Sequence, residues 1–61
     1  MSDLLDAHTV ALSIASRLHA DFAPRNVRLI GQAWYADLVF VETGDVVGHA
    51  KLGDTLTMFW Y

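Results

Sequence analysis

Sixty-one residues without a cysteine make one small domain and exclude both a disulfide frame and a thiolate metal site. Seven Asp or Glu against four Lys or Arg give a net charge of −3, which argues against nucleic-acid binding, since that relies on clustered basic side chains. At 54 % hydrophobic and 18 % charged, the chain holds more apolar surface than so small a domain can bury within itself, so part of it is expected to meet another chain.

Residues 2 to 22 read as one helix. Ser2 or Asp3 can cap it, and Asp3 and Asp6 sit where the positive end of the helix dipole favours acids. At about 100° per residue, Asp6, Thr9, Ser13, Ser16, Arg17 and Ala20 share one side, opposite Leu4, Ala11, Ala15, Leu18 and Phe22. Leu5 and Leu12 flank that apolar side on one edge, and Ala7, Val10 and Ile14 on the other. The sector is wider than a helix on one small sheet needs. Ala7, Ala11 and Ala15 recur every four residues, a small-residue ridge suited to close approach to a sheet or to a second copy of the helix.

Ala23-Pro24-Arg25-Asn26 is expected to end the helix, because the residue before a proline is pushed out of the α region. Val27 to Ile30 is a candidate fourth strand. Gly31 then reads either as a turn or as a bulge within one long strand. Trp34 to Glu42, rich in aromatic and β-branched residues, is a strand.

Two hairpins follow, turning at Thr43-Gly44 and at Gly53-Asp54. Glycine first in a two-residue loop suits a type II′ turn. Counting back pairs Lys51 with Leu56, Ala50 with Thr57, His49 with Met58, Gly48 with Phe59 and Val47 with Trp60. A two-residue loop at Thr43-Gly44 sets Val41 against Val46, Phe40 against Val47 and Leu38 against His49. Leu38, Phe40, Val47, Leu56, Met58 and Trp60 then form a core face for the helix. The far face carries Asp37, Val39, Val41, Val46, Ala50, Thr55, Thr57, Phe59 and Tyr61, too apolar for open solvent. A three-residue loop would slip the register by one and exchange the faces of the strand before it. The expected fold is α+β: one N-terminal helix on a three-stranded antiparallel meander, four-stranded if Val27–Ile30 joins.

No catalytic, metal or nucleotide motif stands in the chain. His8 and His19 are about 16 Å apart along a helix, too far to share an ion. Asp37 and His49 fall on opposite faces in this register. Gly48, opposite Phe59, is read as leaving room for that ring. These residues point to a non-enzymatic protein without cofactor or metal. Its binding surface is expected at Val39, Val41, Phe59 and Tyr61, with Glu42, Asp45 and Asp54 as a charged rim suited to a basic groove. The alternative is a homo-oligomer, a homodimer at its simplest, joined through the apolar sheet face or the helix. The start Met-Ser-Asp-Leu-Leu-Asp is acidic where a secretory signal is basic, and no apolar run reaches the ~18 residues of a membrane span, so the cytoplasm is the expected location.

The short acidic cysteine-free chain, the helix Asp3–Phe22 and the turns at Thr43-Gly44 and Gly53-Asp54 together resemble small phage-encoded inhibitors, the anti-CRISPR proteins among them. The resemblance covers the whole layout and rests on no motif, so it assigns no residue a role. It implies a viral protein, acting in the host cytoplasm, that binds a CRISPR effector subunit and blocks DNA recognition or cleavage.

Overall fold

The computed structural model describes residues 6–61. Its elements are α1 (Ala7–Ala15), β1 (Phe22–Ile30), β2 (Ala33–Phe40), β3 (Val46–Leu52) and β4 (Leu56–Trp60). The caps expected at Ser2 and Asp3 lie outside the described residues. Asp6 caps α1 instead: its backbone is extended and its carboxylate accepts the Thr9 amide at 2.8 Å.

The helix is shorter than the sequence suggests. It ends at Ala15, seven residues before Phe22. The Ser16 hydroxyl donates to the Ser13 carbonyl at 2.7 Å, and Arg17 and Leu18 tighten the exit with amide bonds to Ile14 and Ala15. Serine hydroxyls that compete for helical carbonyls in this way weaken a helix interior. The buried stripe is also narrower, and rotated: Val10 and Ile14 are fully buried, whereas Leu12 is 58 % exposed. Ala7 and Ala15 face solvent and only Ala11 is half-buried, so the alanine ridge does not carry the helix onto the sheet.

The stretch expected to break the helix is itself strand. Phe22 to Ile30 forms β1, and Pro24 is tolerated because β1 is an edge strand in the order β1-β2-β3-β4. The sheet is therefore a four-stranded antiparallel meander, with a fourth strand longer than Val27–Ile30. Gly31 is a turn: Ile30 pairs with Ala33 across Gly31-Gln32, and Gly31 takes φ 65°. The bulge lies earlier, at Asn26-Val27, where the register shifts between Arg25 and Arg28 and Asn26 takes φ 56°. Asparagine is among the few residues that enter this region at little cost.

Both later hairpins differ from the sequence expectation by one residue. Leu52 pairs with Leu56 across the loop Gly53-Asp54-Thr55, closed by the Gly53 amide on the Thr55 carbonyl at 3.2 Å. Gly53 does not take the positive φ that a II′ turn requires at its first position. Between β2 and β3 the loop runs from Val41 to Asp45, closed by the Phe40 amide on the Asp45 carbonyl at 2.9 Å, with Gly44 at φ 78°. Asp37 consequently pairs with His49 and Leu38 with Gly48, and a further shift pairs Val39 with Val46. Each slip reverses β3 against a neighbour, so β2 and β4 keep their expected faces and β3 alone turns over. Ala50 moves from the far face to the core, and His49 and Lys51 face away from the helix.

Val10 and Ile14 of α1 pack against Ala36, Leu38 and Ala50. The two sheet alanines keep the surface beneath the helix low. Trp34, Leu52, Leu56 and Met58 close the sides while remaining partly exposed. At one end Phe22 reaches over the sheet, its ring centroid 5.7 Å from Phe40 and 5.2 Å from Trp60. Gly48 is not opposite Phe59 but between Leu38 and Trp60. A Cβ there would overlap the Phe59 carbonyl oxygen and lie 3.2 Å from Trp60 Cα, so the space is taken by β4 backbone rather than by the Phe59 ring.

Gly48→Ala is expected to lower unfolding free energy by about 1–3 kcal/mol, because the neighbour that must shift is backbone. Urea denaturation checks this, and an unchanged midpoint would refute the close approach. A second expectation concerns Asp6. The bond from the Thr9 amide, then that from the Thr9 side chain, hold its carboxyl below the usual aspartate range. Its cap therefore stabilises the fold above that range and is lost as pH falls through the lowered value. Asparagine caps without titrating. Thermal midpoints of the wild type should fall more steeply in acid than those of Asp6→Asn; parallel curves would discard this account.

Candidate functional site

The face turned away from the helix is where the remaining chemistry collects. The register builds one row from Arg25, Asp37, His49 and Phe59, and a second from Arg28, Tyr35, Lys51 and Thr57. Tyr61 extends β4, held by its amide on the Val47 carbonyl at 2.9 Å. His49 stacks on Phe59, centroids 4.7 Å apart and planes 22° from parallel. Its Nδ1 lies 3.3 Å from the Tyr61 hydroxyl. Three exposed or half-buried rings thus hold one another in place on one side of the sheet.

Beside them, Arg28 Nη1 donates to Asp37 Oδ1 at 3.2 Å and to the Asn26 carbonyl at 2.9 Å. Asn26 Nδ2 reaches the other Asp37 oxygen at 3.5 Å. The bulge positions this group: the extra residue at Asn26-Val27 brings Arg28 level with Tyr35 and within reach of Asp37. Arg28 and Asp37 are 38 % and 29 % exposed, so the pair is partly screened by water.

The expected binding residues are only partly united. Phe59 (45 % exposed) and Tyr61 (80 %) share the face. Val39 lies on the same side but is 3 % exposed and offers no surface to a partner. Val41 is exposed, yet it belongs to the loop after β2, with its amide on the Asp21 carbonyl at 2.8 Å. Glu42 and Asp45 stand in that loop, at the end where Tyr61 lies, and Asp54 stands at the opposite end. Ala50 and Val46 divide likewise: Ala50 is core, Val46 is 49 % exposed.

His49, Tyr35 and the basic residues are additions that the sequence register hid. With Lys51 brought round by the turned β3, Arg28 set by the β1 bulge and Arg25 opposite Asp37, three of the chain's four Lys and Arg share the face with the rings. Asp37 and His49 are now cross-strand neighbours, contrary to the expected arrangement. They do not form a dyad: the carboxylate bonds Arg28 and Asn26, while the His49 Nδ1 meets Tyr61. His19 sits 3.3 Å from Asp21 in an exposed turn. Among the described residues, no group of three His, Cys, Asp or Glu side chains could hold a metal ion. No helix among them is long and apolar enough to cross a membrane.

No family model matches the chain, and comparison with curated proteins and with solved structures finds no similar chain. An open recess of about 550 Å³ borders the site, lined by Tyr35, Lys51, Asp54 and Thr57 among others. It is shallow and polar, unlike the enclosed apolar clefts that hold small ligands.

A double-mutant cycle on Arg28 and Asp37, read by urea denaturation, should return a coupling of about 0.5–1 kcal/mol that shrinks with added salt. A coupling of zero at low salt would show that the pair does not order the bulge.

Proposed function

We propose that this chain is a non-enzymatic protein-binding module, a cytoplasmic inhibitor that acts by occlusion. One observation carries the reading: Phe59 and Tyr61 are exposed on a sheet face, braced by His49 and bordered by Arg25, Arg28 and Lys51. Rigid aromatic side chains beside arginine are what dominate the energetics of protein interfaces. Glu42 and Asp45 flank the ring cluster as a charged rim, and Asp54 does so at the far end. In its most specific form, the reading makes the chain a phage-type inhibitor of the anti-CRISPR kind, bound to an effector subunit of a nucleic-acid-processing complex. The resemblance in size and layout supports that form.

Capture with tagged protein from bacterial lysate containing CRISPR effectors, read by mass spectrometry, tests the specific form. Phe59→Ala and Tyr61→Ala test the site. Each should weaken partner binding by at least about tenfold, the effect of losing an interface anchor, with the circular dichroism spectrum unchanged. Undiminished binding in both variants would remove this face from consideration.

A second reading is favoured by the gathering of Arg25, Arg28 and Lys51 with Tyr35, Phe59 and Tyr61. Basic side chains around stacking rings also bind single-stranded nucleic acid. The pairing of Arg28 with Asp37 and the acidic loops weigh against it. Fluorescence anisotropy with labelled single-stranded oligonucleotides separates the two, because nucleic-acid binding would weaken steeply with salt.

A further inference from the structure

The sheet has two edges of very different character. On β1, Pro24 has no amide to offer, Asn26 and Val27 break the ladder with a bulge, and Arg25 and Arg28 place charge along the strand. These are the features by which proteins prevent strand-to-strand association. The other edge, β4, has none of them. Leu56-Thr57-Met58-Phe59-Trp60 contains no proline, glycine or charge, and its register with β3 is unbroken.

The direction of the free amides on β4 follows from one bond. Tyr61 donates to the Val47 carbonyl while Trp60 stands opposite Gly48, which makes Gly48 and Trp60 a pair that exchanges no bond. Alternation along an antiparallel ladder then turns Thr57, Phe59 and Tyr61 towards β3 and turns Leu56, Met58 and Trp60 outward. No described residue pairs with those outward groups. The side chains of the same residues face the helix side, where cover is thin. Of the four strands, β1 is the one α1 packs against most closely, and Trp60 is 50 % exposed.

We propose that β4 pairs antiparallel with β4 of a second copy, joining the two sheets into one of eight strands. Only one register uses all three outward residues on both copies: a two-fold axis through Met58, with Leu56 of each copy opposite Trp60 of the other. Self-complementarity selects the second copy over a foreign strand. On the helix side Leu56 meets Trp60 and Met58 meets Met58, and on the other side Thr57 meets Phe59. The strand carries no charge to repel its own image or to select a different one. Asp54 falls beyond the paired span, since Thr55 stands opposite Tyr61. The inference rests on the edge of the sheet and not on the binding role proposed for the far face, although Phe59 of that face lies beside Thr57 of the second copy.

Sedimentation equilibrium over about 1 μM to 1 mM tests the association. The wild type should weigh twice the chain at the upper end and approach a single chain on dilution. Met58→Pro removes one outward amide and leaves the β3–β4 bonds intact, so it should weigh a single chain throughout, with its circular dichroism preserved. Charge placement gives a test that does not depend on that variant folding. Thr57→Glu with Phe59→Glu sets like charges opposite each other across the axis and should abolish the dimer. Thr57→Glu with Phe59→Lys sets opposite charges there and should restore it. A single-chain mass for the wild type at every concentration would overturn the proposal, including the case in which β4 takes a foreign strand. So would a dimer that survives the paired glutamates, or one that the glutamate–lysine variant fails to recover.

Discussion

Everything about the sheet turns on the close approach of β3 to its neighbour β4 at Gly48. A Cβ at that position would overlap the Phe59 carbonyl, so β3 runs there without a side chain, between Leu38 and Trp60. With Gly48 on the helix side, alternation puts Ala50 and Leu52 on that side too, and His49 and Lys51 on the other. Ala50 and Ala36 are small enough for Val10 and Ile14 to be buried above them. On the same side, Phe22 of β1 and Trp60 of β4 bring rings from the two opposite edge strands within 5.2 Å. The core beneath the helix and the ring-bearing face opposite it thus both follow from the side on which Gly48 lies.

The same contact explains how much of this was legible in the sequence. The runs Trp34 to Glu42 and Val46 to Tyr61 carry enough β-branched and aromatic residues to mark strands, and turn residues separate them, so an α+β layout follows from pattern alone. Register does not. In β3 polar His49 and Lys51 do alternate with Gly48, Ala50 and Leu52 and so mark its outer face, but a period-2 pattern does not say which residue of a neighbouring strand stands opposite, and counting back through two-residue loops put them on the wrong side. The loops decide it, and both are longer than the two residues their glycines suggest: Gly44 takes a positive φ within the five-residue loop Val41–Asp45, and Gly53 does not take one. Leu38, Phe40, Met58 and Trp60 kept their faces because slips on either side of β3 leave its neighbours in phase. His49 and Ala50 exchanged places because they lie on the strand that moved.

The helix end was obscured for a different reason. Leu18 and Phe22 continue the apolar spacing of α1, and spacing alone cannot distinguish a helix from a turn followed by an edge strand. What stops the helix is local: the Ser16 hydroxyl on the Ser13 carbonyl, then the amides of Arg17 and Leu18 on Ile14 and Ala15. Pro24 signals a boundary correctly as a helix breaker, yet it lies inside an element rather than between two. An edge strand accepts proline wherever its amide would point to solvent. Asn26 carried the missing clue, since asparagine is one of few residues suited to the left-handed conformation of a bulge.

Apart from Leu12 on α1, the apolar surplus evident in the composition is spread over three places. Leu29 and Ile30 stand near the Gly31 turn, Val41 and Val46 at the other end of the sheet, and Phe59, Trp60 and Tyr61 along β4. The first two groups are short and lie beside charged or turn residues, as scattered surface apolar residues commonly do. The third is continuous, and it coincides with the one edge left without bulge, proline or charge. Alternation divides its rings between the two sides of the sheet, Trp60 with the helix and Phe59 with His49 and Tyr61. A contact that covered only one side would leave the other apolar. A partner strand along the edge lies against both sides at once, and so relieves more exposure per residue than a partner laid flat on either face.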